Sequence, residues 1–213
     1  MDILIVILFS YLSGSIPFGL ILTKIFGDLD IRNIGSGNIG ATNVLRTGNK
    51  FLAALTLLLD ILKGYIPVII AQQYFPGLIQ LSCLLAFLGH VFPIWLKFKG
   101  GKGVATYLGI LIALSVQLSI LFIFTWCVVS LIFKYSSLSS IFASLTVLVV
   151  NSLREIAYPI LSIMSDMSDQ NLHDKTYAID KTFLLFVFFI LIIFTHRKNI
   201  SNLKNKTEPK IKI

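Results

Sequence analysis

Long apolar runs follow one another along almost the whole chain, and they restrict the fold more than any other feature. The runs cover residues 3–26, 51–70, 78–96, 104–133, 138–150 and 182–195. About 20 apolar residues in a helix span a hydrocarbon core that is about 30 Å thick. Only 13% of the 213 residues are charged, which is too few for the surface of a soluble domain. The sequence therefore predicts an all-α integral membrane protein with a single polytopic domain.

The number of spans and their orientation follow from the polar residues. The run 104–133 is too long for one span, and Ser115 and Gln117 predict a hairpin inside it, which gives about seven transmembrane helices. Most of the 18 lysines and arginines fall on one side of this arrangement, and that side is expected to be cytoplasmic. The N-terminus is then outside and the C-terminus is cytoplasmic. The expected cytoplasmic segments are 27–50, 97–103, 134–137 and 196–213, and the expected outward loop is 151–180.

The formal net charge of +8 raises the alternative of a nucleic-acid-binding protein. Such a protein needs a soluble basic surface, and the sequence offers no soluble domain to carry one. Basic loops beside an anionic membrane leaflet explain the charge directly. We predict contacts with membrane lipid, no contact with nucleic acid, and no metal or other cofactor.

Residues 33–50, here called the glycine loop, contain three glycines in the spacing of a dinucleotide-binding fingerprint. That fingerprint needs a preceding strand, and here an apolar membrane segment precedes the loop. A flexible linker is another alternative, but hydrogen-bonding side chains lie densely among the glycines. They are Ser36, Asn38, Thr42, Asn43 and Arg46. Glycines let backbone amides approach an anion, and hydroxyls with an arginine complete its binding site, so we predict a phosphate-binding loop.

Residues 97–103, here called the lysine loop, form a second glycine-rich segment. Lys102 lies among Gly100, Gly101 and Gly103, directly before the next apolar run. The pattern of a Walker A loop cannot be placed on it. A lysine is unfavourable at a helix N-terminus, where backbone amides attract anions, so a bound anion would explain its presence. We therefore predict that Lys102 contacts a ligand.

Two ionisable residues, Asp60 and Lys63, lie inside the predicted second span. They are three positions apart and so share one face of a helix. Charges at this depth are costly unless they are paired or functional. We predict a structural ion pair, and we expect His90 in the third span to pack or hydrogen-bond within the fold.

The sequence HRKNI at 196–200 follows the last apolar run. A histidine at a membrane interface is commonly a polar cap, and the two basic residues after it suit a helix C-terminus. Alone, the motif is a weak signal. It lies on the same predicted face as the other basic segments, so one site built from all of them is topologically allowed.

Taken together, these motifs resemble the bacterial acyl-phosphate:glycerol-3-phosphate acyltransferase family, PlsY. The resemblance covers nearly the full length. It rests on SGSIPFG at 13–19, GSGNIGATNVLR at 35–46, DILKG at 60–64, GHVFPIWLKFKGGKGVAT at 89–106, KYSSLSSI at 134–141 and HRKNI at 196–200. It implies a multi-pass, seven-helix enzyme of the bacterial cytoplasmic (inner) membrane. Such an enzyme moves an acyl group from a long-chain acyl phosphate to the 1-hydroxyl of glycerol 3-phosphate, giving lysophosphatidic acid and inorganic phosphate.

The resemblance also implies roles for individual residues. Phosphate would be contacted by Ser36, Arg46 and Lys102. The two loops would be completed by Asn38, Thr42, Asn43, Gly100, Gly101 and Gly103. The family's serines near position 134 correspond to Ser137 and Ser140, and its catalytic residues to His196 and Asn199. The arginine and glycine that usually follow HRxNI in the family are replaced here by Asn202 and Lys206.

Two alternatives stay open at this stage. His196 could act as the general base, or a substrate phosphate could take the proton while His196 only binds. A small membrane transporter for a phosphorylated solute would use the same basic loops and would tolerate Asp60 and Lys63 in the membrane. Transporters often contain internal repeats, and none is evident in this sequence.

Overall fold

A computed structural model describes residues 1–164 and 172–211, and these residues form helices joined by turns and short loops. The α-helices are α1 (Asp2–Ser15), α2 (Phe18–Gly27), α3 (Ala41–Leu45), α4 (Lys50–Tyr74), α5 (Ile79–Val91), α6 (Val104–Leu114), α7 (Val116–Phe133), α8 (Ser136–Met164), α9 (Leu172–Thr195) and α10 (Arg197–Lys204). No β-strand occurs in the described ranges. The prediction of an all-α fold is confirmed.

Among the described residues, five stretches of helix are long and apolar enough to cross a membrane. They are Asp2–Gly27, Lys50–Tyr74, Pro76–Leu96, Val116–Phe133 and Ser136–Ala157. Lys181–Thr195 and Arg197–Lys204 pass the same test only together, across a bend of 57° between the two helices. α6 has 11 residues and a length of about 16 Å, roughly half of the hydrocarbon core. All seven predicted segments are therefore helical, and the fourth is short.

The first predicted segment is not one continuous helix. Ile16 is extended between α1 and α2, because Pro17 lacks an N–H group and disfavours helical geometry in the residue before it. The ammonium group of Lys63 donates a hydrogen bond of 2.7 Å to the carbonyl oxygen of Ile16. The buried Lys63 of α4 thus supplies the hydrogen-bond donor for a carbonyl oxygen at the break between α1 and α2.

The predicted ion pair is present inside α4. Nζ of Lys63 lies 2.7 Å from Oδ1 of Asp60, and both side chains are almost fully buried. α4 packs closely on α6 because Gly64 faces the backbone of Thr106, where a Cβ would collide with the carbonyl oxygen. This packing brings the start of α6 next to the middle of α4.

The polar segment 151–180 is helical wherever the structure describes it, rather than the loop that the sequence predicted. α8 continues to Met164 and α9 begins at Leu172. The segment contains no glycine, and Arg154 and Glu155 are compatible with a helix, so the helices extend beyond the apolar runs. Residues 165–171 of the predicted loop lie outside the described ranges. The membrane side of this segment stays a prediction.

The other connecting segments also contain helix. In the predicted cytoplasmic segment 27–50, Ile31–Asn33 and Ala41–Leu45 form short helices. α8 begins at Ser136, so Ser137 and Ser140 lie in its first two turns rather than in a loop. The basic segment after α9 begins with α10 and continues without regular structure to residue 211.

Candidate functional site

The glycine loop, the lysine loop, the start of α8 and the chain after α9 meet around a cavity of about 650 Å³. Most of the predicted site residues line it. They are Ser36, Asn38, Thr42, Asn43, Arg46, Lys102, Gly103, Ser137, Ser140, His196 and Asn199. The four segments that the sequence placed on one face are therefore assembled into one site.

Asn43 organises the glycine loop from inside. Its Nδ2 lies 3.0, 2.9 and 2.8 Å from the carbonyl oxygens of Ile31, Ile34 and Asn38. Its Oδ1 accepts hydrogen bonds from the backbone N–H and the hydroxyl of Ser36 at 3.0 and 3.2 Å. The residue is 2% exposed, and both ends of its amide are occupied within the loop. Asn43 thus maintains the shape of the loop, and its predicted contact with substrate stays a prediction.

Gly35 leaves space for the side chain of Arg46 in the glycine loop. Its φ angle of 56° lies in the left-handed region, which glycine adopts readily. A Cβ there would lie 2.5 Å from Oδ1 of Asn43 and 2.8 Å from Cδ of Arg46. The Arg46 side chain folds over this glycine, and it is half-buried in the wall of the cavity.

The lysine loop rests on the end of α5. The N–H groups of Gly100 and Gly101 donate to the carbonyl oxygens of Val91 and His90 at 3.0 and 3.1 Å. A Cβ on either glycine would collide with His90. These two glycines do not line the cavity, so they shape the loop from behind and leave the lysine to face the cavity.

Lys102 is the cation that the lysine loop presents to the cavity. The pKa of its ammonium group is lowered to about 8, mainly by burial and in part by the charge of Arg46, while the carboxylate of Glu208 opposes the shift. The carbonyl oxygen of Lys102 accepts a hydrogen bond from the hydroxyl of Thr195 at 3.2 Å. A partly desolvated cation of this kind favours an anionic ligand.

Glu208 is a site residue that the sequence analysis missed. One oxygen of its carboxylate accepts hydrogen bonds from Nδ2 of Asn199 at 2.6 Å and from the hydroxyl of Ser137 at 2.9 Å. The other oxygen accepts from Nδ2 of Asn202 at 3.4 Å. A signal was available, because Glu208 is the only acidic residue in the basic segment 196–213. Two predicted site residues are thus held by a carboxylate that local motifs did not reveal.

Residues 205–211 run back along the basic rim of the cavity. The carbonyl oxygen of Pro209 accepts a hydrogen bond from Nη2 of Arg46 at 3.4 Å. The N–H of Ile211 donates to the carbonyl oxygen of Lys134 at 2.8 Å. Glu208 and Pro209 of this segment are part of the wall of the cavity.

His196 is buried at the end of α9 and lines the cavity. Its Nδ1 lies 2.8 Å from the carbonyl oxygen of Ile192. A carbonyl oxygen only accepts, so Nδ1 carries the proton and Nε2 is left as an acceptor. The pKa of this imidazole is lowered to about 4, mainly by burial and in part by the charge of Lys102, while the contact with Ile192 opposes the shift. The imidazole is therefore neutral at physiological pH.

Ser140 fixes an aromatic ring in the cavity wall. Its hydroxyl donates to the carbonyl oxygen of Ser136 at 2.8 Å and accepts from Nε1 of Trp126 at 3.1 Å. Both residues line the cavity. The structure thus gives Ser140 a role in holding Trp126, and its predicted contact with substrate stays a prediction.

From these polar groups the cavity continues into an apolar part between α4, α6 and α7. The lining side chains of this part are Leu57, Ile61, Leu108, Phe122, Ile123, Trp126 and Cys127. Leu57 and Ile123 are 43% and 44% exposed, and both lie within membrane-spanning helices. The apolar part therefore opens sideways onto the surface that faces lipid.

Comparison with known proteins gives a consistent result over the whole chain. Residues 4–206 match the family model described as glycerol-3-phosphate acyltransferase. The chain is 52% identical to the glycerol-3-phosphate acyltransferase of Pelagibacter ubique, and the match covers 100% of both chains. It is 45% identical to the protein of the same name from Brucella anthropi, over 96% of this chain and 91% of the relative.

Two solved structures share the fold. Both are crystal structures of PlsY (YgiH), an integral membrane glycerol 3-phosphate acyltransferase. The glycerol 3-phosphate form has a TM-score of 0.82 and 34% identity, with 100% of this chain and 96% of that chain covered. The lysophosphatidic acid form has a TM-score of 0.80 and 34% identity, with 99% and 95% covered. The chain is an integral membrane protein and belongs to the glycerol-3-phosphate acyltransferase family.

Proposed function

We propose that the protein transfers a long-chain fatty acyl group from acyl phosphate to the 1-hydroxyl of glycerol 3-phosphate, and forms lysophosphatidic acid and inorganic phosphate. The observation that carries the proposal is the continuous cavity, in which a cationic polar part joins an apolar part open toward lipid. The polar part suits a water-soluble phosphate ester, and the apolar part suits an acyl chain. The two forms of the solved PlsY structures support the acceptor and the product.

The charges around the cavity suit two phosphate groups. Arg46, Lys102 and the exposed Ser36 line the same cavity, and Arg46 is near enough to Lys102 to lower its pKa. These three residues would hold the phosphate of glycerol 3-phosphate. Lys50 is the first residue of α4, and it lies two turns before Leu57 on the same face of the helix. Its ammonium group would meet the phosphate of an acyl donor whose chain occupies the apolar part.

The reaction needs a positioned hydroxyl, a neutralised leaving group and stabilisation of the developing oxyanion. The hydroxyl oxygen attacks the acyl carbon, and the bond between that carbon and the phosphate oxygen breaks as the new ester bond forms. The hydroxyl proton passes to a phosphate oxygen. Acyl phosphate is an activated mixed anhydride, so the reaction needs no covalent enzyme intermediate. In this scheme Lys102 and Arg46 neutralise the phosphate groups.

His196 suits the orientation of the hydroxyl better than the removal of its proton. A pKa of about 4 makes the imidazole a weak base at neutral pH. Its Nε2 would accept a hydrogen bond from the hydroxyl, whereas a phosphate group with a second pKa of about 6 would take the proton. Asn199, which Glu208 holds in place, would line the same reaction centre.

We further propose that the polar end of the cavity faces the cytoplasm, with the N-terminus outside. The distribution of lysine and arginine supports this orientation. Glycerol 3-phosphate would then reach the glycine loop from water, and the acyl donor would reach the apolar part from the membrane.

The test is turnover by the purified protein in lipid, with glycerol 3-phosphate and palmitoyl phosphate. Lys102→Ala should lose activity, because it removes a cation that lines the cavity. Lys99→Ala is the matched control, since Lys99 is exposed and does not line the cavity. No turnover by well-folded wild-type protein would reject the proposal. Equal activity of the two variants would remove Lys102 from the site.

A further inference from the structure

A group of buried polar side chains beneath the lysine loop has no part in the proposed chemistry. Asp60, Lys63, His90 and Thr106 are each at most 4% exposed. The cavity reaches two of them, Asp60 and His90. Polar groups this deep in a membrane protein are costly unless they are paired or functional. The group therefore calls for an explanation beyond packing.

His90 lies at the centre of the group. Its Nδ1 is 3.1 Å from the hydroxyl of Thr106, in the first turn of α6. The same Nδ1 is 3.9 Å from Oδ1 of Asp60 on α4, which is paired with Lys63. One imidazole on α5 thus connects α4 and α6.

His90 also supports the lysine loop directly. Its carbonyl oxygen accepts a hydrogen bond from the N–H of Gly101 at 3.1 Å. Its ring lies so close to Gly101 that a Cβ there would collide with Nε2. His90 therefore fixes the chain on both sides of Lys102. Gly101, directly before Lys102, bonds to the carbonyl oxygen of His90, and Thr106, four positions after Lys102, bonds to the imidazole of His90.

We propose that His90 is a positioning residue for Lys102. It fixes the lysine loop through Gly101 and Thr106, and the Asp60–Lys63 ion pair fixes the orientation of the imidazole. This inference rests on the proposed role of Lys102 in binding the phosphate of glycerol 3-phosphate. Loss of the bond between His90 and Thr106 lets the loop leave its binding geometry, so affinity falls while the chemistry of the bound substrate changes little.

The experiment compares variants of Thr106, which lies outside the cavity lining. Thr106→Val and Thr106→Ala remove the hydroxyl, and Thr106→Ser retains it. Thr56→Val is the matched control, because Thr56 is equally buried and, within the described part of the chain, its hydroxyl bonds only to the carbonyl oxygen of Leu52 in its own helix, at 2.7 Å. Binding of glycerol 3-phosphate alone is measured by titration calorimetry, and turnover with palmitoyl phosphate is measured in parallel.

We expect Thr106→Val and Thr106→Ala to raise the Kd for glycerol 3-phosphate about 5- to 30-fold. Their kcat at saturating substrate should stay within about threefold of the wild-type value, because the bound state is the same. Thr106→Ser and Thr56→Val should bind like the wild type. An unchanged Kd in both hydroxyl-deficient variants, or an equal rise in Thr56→Val, would overturn the positioning role.

Different results would reject the proposed function and the positioning role of His90. Wild-type protein that binds glycerol 3-phosphate but does not turn over with palmitoyl phosphate would reject the proposed donor and leave the binding comparison valid. Wild-type protein that binds no glycerol 3-phosphate would reject both. Normal wild-type behaviour with unaltered Thr106 variants would reject the positioning role alone.

Discussion

Replacing Asn43 by aspartate tests whether the glycine loop depends on one buried amide. The side chain keeps its shape and its acceptor oxygen, but it loses the NH₂ group that faces the carbonyl oxygens of Ile31, Ile34 and Asn38. Those carbonyl oxygens would then face a carboxylate oxygen. The loop should therefore lose its binding geometry, whereas the spans should remain folded, because the hydrogen bonds of this amide within the described residues all lie in the segment 31–46.

The size of the effect follows from the number of bonds lost. The NH₂ group has two hydrogens, so two hydrogen bonds disappear together. A buried polar group left without its partner costs about 1–3 kcal/mol, so the ordered loop loses roughly 2–6 kcal/mol. Since 1.4 kcal/mol corresponds to a factor of ten, kcat/KM for glycerol 3-phosphate should fall by roughly 30-fold or more.

The assay is steady-state turnover in lipid, with size-exclusion chromatography as the check on folding. Asn33→Asp is the matched control because it adds the same charge to the glycine loop at an exposed position. Its side chain makes no hydrogen bond within the described part of the chain. A loss of less than about threefold in Asn43→Asp, or equal losses in both variants, would refute the reasoning. Equal losses would mean that added negative charge acts, rather than the missing donors.

Three further substitutions probe other parts of the site. In the wild type, kcat/KM should fall above about pH 8, where Lys102 loses its charge. Glu208→Gln should shift this fall to lower pH, because the carboxylate raises the pKa of Lys102; an unchanged pH profile would contradict this. Between pH 6.5 and 4 the imidazole of His196, with a pKa of about 4, is neutral in the folded protein but protonated in the unfolded chain. Thermal unfolding should therefore show that up to about 3 kcal/mol of stability is lost as the pH falls from 6.5 to 4, and His196→Gln should abolish that part of the loss. Ser140→Ala removes the acceptor for Trp126 and should raise the KM for palmitoyl phosphate roughly fivefold without altering that for glycerol 3-phosphate; a change confined to glycerol 3-phosphate would place Trp126 elsewhere in the mechanism.

The helical fold was predictable because apolar runs in a membrane leave the backbone few alternatives. The observed start of α6 at Val104 and end of α7 at Phe133 agree with the predicted run 104–133. The segment 151–180 was predicted less well. Its polar residues carry no membrane signal, yet residues 151–164 and 172–180 continue the helices. Hydropathy alone does not separate a polar helix from a loop.

The site was predictable where its chemistry is local in sequence. Arg46 and Lys102 stand out because glycines surround them, and both line the cavity. Glu208 was missed because it belongs to none of the motifs, and one of its partners, Ser137, lies 71 positions away in the sequence. The apolar part escaped notice for a different reason: Phe122 and its neighbours look like any other lipid-facing or core residues until the helices are packed.

The acyl donor is the central claim, and product analysis with two donors tests it most directly. Purified protein in lipid receives glycerol 3-phosphate with palmitoyl phosphate or with palmitoyl-CoA, and lysophosphatidic acid and inorganic phosphate are both quantified. We predict equal amounts of the two products from palmitoyl phosphate and no lysophosphatidic acid from the thioester. Lysophosphatidic acid formed from palmitoyl-CoA, without release of inorganic phosphate, would contradict the account.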